Sequence, residues 1–418
     1  MQKFDVLIVG AGMVGLTLAL ALREQGQLNV AIADQSELMP LSEQPEARVS
    51  AINGASEQIF INLGVWPLIQ AQRLQPYQHM HVWDKDGYGK LDFDCSDLGR
   101  QNYQADTNEG HLGHIIENNV IRNALWQKAQ ADSGITFFTE HAITNIGIGD
   151  SEVFASFNSG MPITAKLVVG ADGANSWVRK QMNMPLTFRD YDHHALVATV
   201  KCERGHKNTA WQVFLPSGPL AFLPLFDDSL CSIVWSTSPD EAQRLASLSD
   251  NDFAKELTAA TDGKLGNVSL VSQRFTYPLM MRLAHDFVKD KVVLIGDAAH
   301  TIHPLAGQGV NLGLLDAAAL AQTLTSKVNK GGDDHVSALN NKEKSLKAFA
   351  RWRKSEATEM IVAMEAIKQA FSPSFEAPKL LRGIGMSIIN NVTPAKKLLI
   401  QQAFGQKSNL PALAIKRD

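Results

Sequence analysis

The chain has 418 residues, of which 45% are hydrophobic and 20% charged, so the sequence predicts a globular protein with two domains and an appendage. Its net charge of −4, without basic residues interleaved with a stacking platform, argues against nucleic-acid binding. The cysteines Cys95, Cys202 and Cys231 show no CxxC pairing, which argues against a disulfide framework or a zinc site and favours a reducing compartment. With no leader-like start and no apolar run near the ~18 residues that span a bilayer, we expect a cytoplasmic protein without a metal.

The first predicted elements form a strand, a glycine-rich turn and a helix. Phe4–Val9 is an apolar strand, and a helix is predicted over Leu16–Arg23. The turn between them has the spacing GxGxxG, made by Gly10, Gly12 and Gly15. A second strand, Asn29–Ala33, ends at Asp34, where an acid takes the ribose hydroxyls of an adenine dinucleotide. Strand, turn, helix, strand and acid together predict a dinucleotide-binding unit.

Two helices are predicted in the next part of the chain, over Ser50–Leu63 and His111–Gln130. Arg48 stands just before the first of them, where it is expected either to approach the cofactor or to be an ordinary surface arginine. Glu117 lies near the start of the second, from which its side chain is predicted to reach back to the cofactor. Both residues are therefore candidates for the cofactor site.

Other parts of the chain show the alternating pattern of antiparallel strands. From Gln75 to about Gly110, short alternating pieces are separated by Gly and Asp turns, which predicts a hairpin in a different subdomain. Pro185–Tyr277 is rich in Thr, Val, Phe and Trp with period-two stretches, interrupted by a helical insert over Pro239–Thr261. We expect this sheet to cover the cofactor and to hold the substrate.

Two further strands end in an acid. Lys166–Val169 is followed by the turn that contains Asp172, and Val292–Ile295 is followed by Gly296 and Asp297. In open α/β sheets, ligands bind at the carboxyl ends of the strands. These two ends and the first glycine turn are therefore expected to converge on one extended cofactor.

The loop after Asp297 is predicted to face a flat ring. It contains Pro304, Gly307, Gly309 and Asn311. Its glycines would let the backbone approach a ligand closely, and a helix that resumes at Asn311 would offer unpaired N–H groups. The alternative is an ordinary strand–loop–helix corner whose aspartate caps a helix.

The last part of the chain is predicted to be a basic helical tail. Residues 342–418 contain 14 Lys/Arg and 6 Asp/Glu, although the whole chain is acidic. This asymmetry predicts attraction to an anionic membrane surface or an acidic partner, and a solvated helical face is the alternative. Within the tail, Met360, Met364, Ile367 and Phe371 recur at helical spacing and are interpreted as core.

With these segments placed, the chain resembles flavin-dependent aromatic hydroxylases of the para-hydroxybenzoate hydroxylase type, and more narrowly the ubiquinone-biosynthesis hydroxylases. The resemblance is carried by VGAGMVGL, ARVSAINGASE, GHIIEN, GADGANSWVR and GDAAHTIHPLAGQGVNLG, which together extend to about residue 320. Within that family, WDKDGYG, HLGHIIEN, DYDHHALVAT and SIVWSTSPDEAQR are most similar to the hydroxylases that oxidise ring carbon 5 of 2-octaprenylphenol.

The resemblance implies an α/β fold of mixed α+β character, with three parts. A discontinuous Rossmann-like FAD-binding domain is expected over residues 1–75, 111–184 and 278–326. A largely antiparallel substrate-binding sheet is expected over 76–110 and 185–277, and a helical region over 335–418.

The resemblance also implies a cofactor and residues that bind it. Gly10, Gly12, Gly15 and Asp34 would hold the adenine end of FAD, although the family usually has Glu in the place of Asp34. Asp172, Gly296 and Asp297 would hold the pyrophosphate and ribityl region. The loop from Pro304 to Asn311, with Gly307 and Gly309, would face the flavin, and Arg48 and Glu117 occupy the places of family residues near it.

The reaction implied is hydroxylation of a lipophilic phenol by O2 through a flavin C4a-hydroperoxide, with NAD(P)H or another donor reducing the flavin. Peripheral contact with the inner face of a membrane, or with other proteins of the pathway, is expected through the basic tail. His193 and His194 are candidates for accepting the phenolic proton, but a structural histidine is the more economical interpretation, so no catalytic residue is assigned. The competing functions are a hydroxylase of another ring position in the same pathway, a flavin reductase and a non-catalytic flavoprotein scaffold.

Overall fold

The computed structural model describes residues 1–38, 40–98, 110–139, 141–160, 162–302, 309–326, 343–370, 386 and 409–417. In chain order the strands are β1 (Gln2–Val9), β2 (Val30–Ala33), β3 (Val49–Ile52), β4 (Leu74–Tyr77), β5 (His79–Asp84), β6 (Lys90–Asp94), β7 (Gly113–Glu117), β8 (Ile135–Phe138), β9 (Ile143–Ile148), β10 (Val153–Phe157), β11 (Pro162–Gly170), β12 (Leu186–Cys202), β13 (Thr209–Leu215), β14 (Gly218–Pro224), β15 (Leu230–Thr237), β16 (Val268–Leu270), β17 (Phe275–Ala284), β18 (Val288–Lys289), β19 (Val292–Leu294) and β20 (His300–Thr301). The α-helices are α1 (Met13–Gly26), α2 (Gly54–Asn62), α3 (Trp66–Gln70), α4 (Asn118–Gln130), α5 (Trp177–Gln181), α6 (Pro239–Ser247), α7 (Asp250–Ala260), α8 (Gly309–Thr325) and α9 (Glu343–Ala370).

The first sheet is parallel at its centre. Its strands lie in the order β18-β19-β11-β1-β2-β8, and the hairpin β9–β10 joins the side of β11. The two faces of β1 enter different cores, because successive side chains of a strand point in opposite directions. Val6 and Ile8 pack with α1 and α8, whereas Leu7 and Val9 pack with the hairpin and α5. Burial on both faces explains why these strands are almost continuously apolar.

The second sheet has nine strands in the order β20-β17-β12-β15-β14-β13-β5-β6, with β16 beside β12. Its pairs are antiparallel except that of β5 with β13. The long strand β12 changes register against β17 between Asp190 and His193, which bends the sheet. Helices α6 and α7 cover one face through Leu245, Phe253 and Leu257. The predicted antiparallel sheet and its helical insert are confirmed.

The third sheet is antiparallel and has three strands in the order β3-β7-β4. Along the chain, these strands lie between β2 and β8. The sheet corrects two predictions, because residues 50–52 and 113–117 are strands and the helices begin only at Gly54 and Asn118. Val49 pairs with Glu117, and Ile52 with His114. Each segment is short and apolar on its own, so the partner some 65 residues away decides its conformation.

The C-terminal part packs back onto the first sheet. Helix α9 brings Met360 and Met364 against the core, while Ile367 remains 38% exposed and Phe371 lies outside the described residues. Near the end of the chain, Leu413 is buried beside α2, where Asn62 donates to its carbonyl oxygen over 2.8 Å. In the described parts of the chain, we find no helix with the length and apolarity needed to cross a membrane.

Two boundaries of the predicted domains fall within strands of the structure. The boundaries after residues 75 and 277 fall inside β4 and β17, so both strands continue from one predicted domain into the other. The assignment of the sheets to an FAD-binding and a substrate-binding domain therefore stays a proposal, with these two strands as the places where the two parts are joined.

Candidate cofactor-binding site

The register of the parallel strands brings three turns side by side. Val9 of β1 lies opposite Gly170 of β11, and Gly170 lies opposite Leu294 of β19. The turns that follow these strands begin at Gly10, Ala171 and Ile295 respectively. The predicted convergence of the glycine turn with the two acid-bearing turns is thus what the strand order produces.

The three glycines of the first turn have different surroundings. Gly10 has a φ of +111°, and a Cβ placed there would lie 2.4 Å from the carbonyl oxygen of Ala171. A Cβ on Gly15 would lie 2.0 Å from the carbonyl oxygen of Gly10, so these two positions are closed by backbone. A Cβ on Gly12 would meet no atom of the described residues within 4 Å. The space over Gly12, at the start of α1, is therefore free for a ligand.

The start of α1 suits an anionic ligand. Gly12 is the N-cap of this 14-residue helix and makes no side-chain cap hydrogen bond. The first N–H groups of a helix carry partial positive charge and lack partners within the helix, so they favour a phosphate group. The open space over Gly12 and these N–H groups together fit a pyrophosphate.

Asp34 links the glycine turn to the end of β2. Its Oδ2 accepts a hydrogen bond from the Ala11 N–H over 2.6 Å, and its Oδ1 accepts from the N–H and hydroxyl of Ser36 over 2.8 and 2.7 Å. Arg122 of α4 donates to the Ala11 carbonyl oxygen and the Ser36 hydroxyl over 3.0 and 3.2 Å. Sequence reasoning missed Arg122, whose only signal is its place in the helix that follows Glu117.

Asp172 is bound on one side only. Its Oδ2 accepts from the N–H groups of Trp177 and Val178 over 2.7 and 3.0 Å, at the start of α5. Its Oδ1 is buried and has no hydrogen-bond partner within the described residues. Since buried polar atoms are almost always paired, this oxygen marks a place for a donor from a ligand, such as a cofactor hydroxyl.

Arg179 ties the turn of Asp172 to the turn of Asp297. Its guanidinium donates to the carbonyl oxygens of Ala298 and Ala174 over 2.8 and 3.0 Å, and its residue is only 4% exposed. Burial lowers the pKa of this guanidinium, and the positive charge of the nearby Arg282 lowers it further. Arg179 thus fixes the relative positions of two turns that the predicted site requires.

Asp297 follows Gly296, whose φ of +57° turns the chain at the end of β19. The Asp297 side chain is exposed to solvent, but many protein atoms lie near its carboxyl, and this partial desolvation raises the pKa of the carboxyl. His300, Arg48 and Arg282 act in the opposite direction, so three basic side chains lie near the same carboxyl. The surroundings of the Asp297 carboxyl therefore suit a hydrogen-bond donor from a ligand.

The residues predicted beyond Asp297 are only partly described. Pro304 and Gly307 lie outside the described residues, and Gly309 is the first residue of α8. Asn311 is buried, accepts from the Asn53 N–H over 3.2 Å and donates to the Ala51 carbonyl oxygen over 2.8 Å. In these contacts Asn311 joins the start of α8 to β3, and its role toward a cofactor stays a prediction.

Arg48 lies in the loop before β3, and Glu117 at the end of β7 contacts the same loop. Arg48 is exposed, with its guanidinium carbon 5.3 Å from the centre of the Tyr277 ring on β17. Glu117 is 2% exposed and accepts from the Glu46 N–H and from Arg73 over 2.8 and 2.9 Å. The described contacts of Glu117 are thus with protein, and they hold the loop that presents Arg48.

The two histidines considered as proton acceptors lie in β12, at its change of register. His193 and His194 are half-buried, and His193 Nδ1 is 2.8 Å from the Tyr191 carbonyl oxygen. Because a carbonyl oxygen only accepts, this contact requires the proton on Nδ1 and fixes the tautomer of His193. The contact supports the structural interpretation of this histidine.

A buried charged network behind the Gly296 turn was not anticipated from the sequence. Asp316 of α8 is fully buried and accepts from Arg353 of α9 over 2.6 Å and from the Gly296 N–H over 3.0 Å, and its Oδ2 is 2.6 Å from His300 Nε2. Burial raises the pKa of Asp316, but His300 and Arg353 outweigh it and hold the pKa below its ordinary value. Arg353 had only appeared as one of the basic residues of the tail.

The strand order, glycine turns and acids define a dinucleotide-binding protein, and comparison with known proteins identifies its class and family. The family model described as "FAD binding domain" matches residues 3–349. The chain is 33% identical to the 3-demethoxyubiquinol 3-hydroxylase of Escherichia coli (strain K12), over 97% of this chain and 99% of the relative. It is 32% identical to the human mitochondrial ubiquinone biosynthesis monooxygenase COQ6, over 97% and 92% of the two chains.

Solved structures share the fold at lower identity. The p-nitrophenol 4-monooxygenase PnpA of Pseudomonas putida DLL-E4 has a TM-score of 0.74 at 19% identity, covering 100% of both chains. PqsL of P. aeruginosa has a TM-score of 0.71 at 20% identity, covering 92% of this chain and 100% of the other. The chain belongs to the ubiquinone-biosynthesis family of FAD-dependent hydroxylases, and it is a flavoprotein aromatic monooxygenase whose cofactor is FAD.

Asp297→Asn is expected to raise the stability of the apoprotein and to lower its affinity for flavin. The folded-state pKa of Asp297 is raised above its unfolded value, so its contribution to stability falls as pH rises from the unfolded to the folded pKa. Because solvent also reaches this side chain, removing the charge should raise the Tm of the apoprotein only slightly at pH 7, with the gain vanishing toward pH 3.8, the ordinary value. Loss of a charged acceptor should weaken flavin binding by ~10–100-fold.

The measurement is thermal unfolding of the apoproteins between pH 4 and 7, with a flavin titration of each. Asp290→Asn, at an exposed turn, is the matched control, because Asn tolerates the φ of 52° found there. An Asp297→Asn apoprotein less stable than the unaltered one at pH 7 would contradict the prediction.

Proposed function

We propose that this monooxygenase hydroxylates the aromatic ring of a polyprenylphenol intermediate of ubiquinone biosynthesis, at ring carbon 5, with NAD(P)H as the electron donor. Bound FAD, once reduced, supplies the activation of O2 from which one oxygen atom is transferred to the phenol. The protein must bind the cofactor, orient the phenol ring and exclude water from the reacting atoms.

The substrate class is supported by the names of the ubiquinone-pathway relatives. The place that we propose for the ring is a small apolar gap of about 10 Å³ between the three-stranded sheet and the nine-stranded sheet. It is lined by Ala51, Tyr77, Met80, Ile115, Ala210, Trp211, Gln212, Ala221 and Leu223. The gap has room for about one water molecule, so its walls must move to admit a ring, and Met80 is a flexible side chain that can adapt to a ligand. The cavity is narrow, so we expect Met80 to move when a ring enters.

A second apolar surface supports the same proposal. Phe275 and Tyr277 lie on one face of β17, as residues two apart in a strand do, and they are 42% and 37% exposed. Tyr277 also stacks with Arg48, whose charge acts on Asp297. An aromatic surface beside the predicted flavin residues suits a hydrocarbon chain attached to a phenol.

One relative favours hydroxylation at a different ring carbon. The Escherichia coli relative is named a 3-demethoxyubiquinol 3-hydroxylase, whereas the motifs of this chain are most similar to the carbon-5 enzymes. The decisive test supplies NADPH and O2 with either a short-chain 2-prenylphenol or a short-chain 3-demethoxyubiquinol, and identifies each product by mass and ring substitution.

Three outcomes separate the functions. A prenylphenol product heavier by one oxygen atom at carbon 5 supports the proposal. Efficient hydroxylation of 3-demethoxyubiquinol alone moves the assignment to the other ring position. Bound flavin that never inserts oxygen, even when reduced chemically, overturns the hydroxylase activity and favours a reductase or a scaffold.

The place of the substrate is tested by filling the cavity. Ala221→Phe adds a ring between the two sheets and is expected to reduce substrate-dependent O2 uptake by at least ~10-fold while flavin stays bound, since the change adds bulk at a wall of the pocket. Ala221→Ser, which adds little volume, should keep the activity. Unchanged uptake by a folded Ala221→Phe enzyme would place the substrate elsewhere.

A further inference from the structure

Three side chains that the flavin site does not use meet between α2 and β7. Glu57 lies in the first turn of α2, His114 lies in β7, and His111 stands two residues before that strand. The ligand atoms of all three lie within 4.8 Å of one another. Strand alternation turns His114 toward the helices, on the face opposite to Ile115, which lines the apolar cavity.

The separations of the two histidine nitrogens from Glu57 Oε2 are close to those within a metal coordination shell. His111 Nε2 is 2.9 Å from Glu57 Oε2, and His114 Nδ1 is 3.4 Å from the same oxygen. Four ligands at about 2.0–2.1 Å from a tetrahedral Zn²⁺ stand ~3.3 Å from one another. An ion between the three atoms therefore needs only small side-chain movements.

The cluster is buried, and one of its nitrogen atoms lacks a hydrogen-bond partner. His114 is 6% exposed, and within the described residues its Nδ1 has no hydrogen-bond partner. The 3.4 Å separation from Glu57 is long for a hydrogen bond. Trp66 packs edge-on against the His114 ring, with the ring centres 5.0 Å apart, which restrains the direction of this nitrogen. A buried nitrogen that makes only this long contact within the described residues, and that is directed at a carboxylate and a second imidazole, indicates a missing ligand.

We propose that Glu57, His111 and His114 bind one Zn²⁺ ion. Two imidazoles and a carboxylate are ligands that Zn²⁺ accepts, and the carboxylate offsets part of the ion's charge in a buried place. The His111 side chain keeps 14% of its surface exposed, so this side gives the ion a way in and a water molecule as the fourth ligand. The ion joins α2 to the middle strand of the three-stranded sheet.

The test measures Zn²⁺ binding to the full-length FAD-bound protein after treatment with a chelator. Glu57→Gln keeps the shape of the side chain, and His111→Ala changes the most exposed ligand, so both variants are expected to fold. His285→Ala removes an exposed imidazole elsewhere and is the matched control. Zn²⁺ is titrated by calorimetry, bound metal is counted by mass spectrometry, and Tm and flavin content are recorded for every protein.

We expect one Zn²⁺ per chain with a Kd below ~1 µM, at least ~100-fold weaker binding in both ligand variants, and an unchanged control. Zn²⁺ should also raise the Tm of the unaltered protein and the control but not that of the variants. Binding of less than one-fifth of an equivalent, or binding that both variants retain, would show a hydrogen-bonded cluster only. Because the readouts are metal content and Tm, failure here leaves the proposed hydroxylation untouched.

Discussion

Replacing Arg353 with methionine is expected to lower the free energy of unfolding by about 3–5 kcal/mol, because it removes one of the two basic partners of a buried carboxylate. Arg353 is 1% exposed and donates to Asp316 over 2.6 Å and to the Leu312 carbonyl oxygen over 3.3 Å. Methionine fills a similar volume, so the expected loss comes from the charge and the hydrogen bonds rather than from a cavity. Denaturant unfolding at pH 7 measures it.

The same helix provides the control for this prediction. Arg351 is exposed on α9, so Arg351→Met should change stability by no more than ~0.5 kcal/mol. Adding Asp316→Asn to Arg353→Met removes the charge of the carboxylate, and the double variant should be more stable than the sum of the single losses indicates. An Arg353→Met protein within ~1 kcal/mol of the unaltered one would contradict a stabilising role for the pair.

The network also connects α9 to the flavin site. Asp316 holds the Gly296 N–H, and Gly296 directly precedes Asp297. If this contact positions the turn, the Arg353→Met protein should bind flavin more weakly even at temperatures where it remains folded. Flavin affinity measured well below the Tm separates this effect from unfolding.

Replacing Gly12 with alanine is expected to weaken FAD binding by at least ~100-fold without destabilising the apoprotein. The new Cβ would meet no atom of the described part of the chain within 4 Å, so it would stand in the space at the start of α1 that we expect the cofactor to occupy. Gly12 has φ and ψ of −78° and 179°, which alanine adopts without strain. The apoprotein Tm should therefore stay the same or rise slightly.

Gly10→Ala provides the contrast. There the φ of +111° and a Cβ 2.4 Å from the Ala171 carbonyl oxygen force the backbone to move, so the fold itself should lose about 2 kcal/mol or more. Bound flavin per chain, a fluorescence titration with FAD and apoprotein Tm distinguish the two effects. A Gly12→Ala protein that binds FAD as tightly as the unaltered one would show that the cofactor does not approach this turn.

The sequence determined much of the first sheet. The run of apolar residues before each of Gly10, Asp172 and Asp297 is long enough and apolar enough to be a strand buried on both faces, and all three strands are found. Their adjacency follows from the rules of parallel sheets, and this is why three acid or glycine turns separated by more than a hundred residues were expected together. Local pattern and topology agree at these strands, so the sequence alone was sufficient.

Only the tertiary structure decided the elements whose identity depends on a distant partner. Ser50–Ile52 and Gly113–Glu117 are strands because they pair with each other, and no local pattern in either segment records that pairing. The same holds for polar contacts. Arg353 is one more basic residue in a basic tail until the fold buries it against Asp316. Glu57, His111 and His114 likewise become neighbours only when α2 packs against β7, because side-chain proximity is a property of packing and not of spacing along the chain.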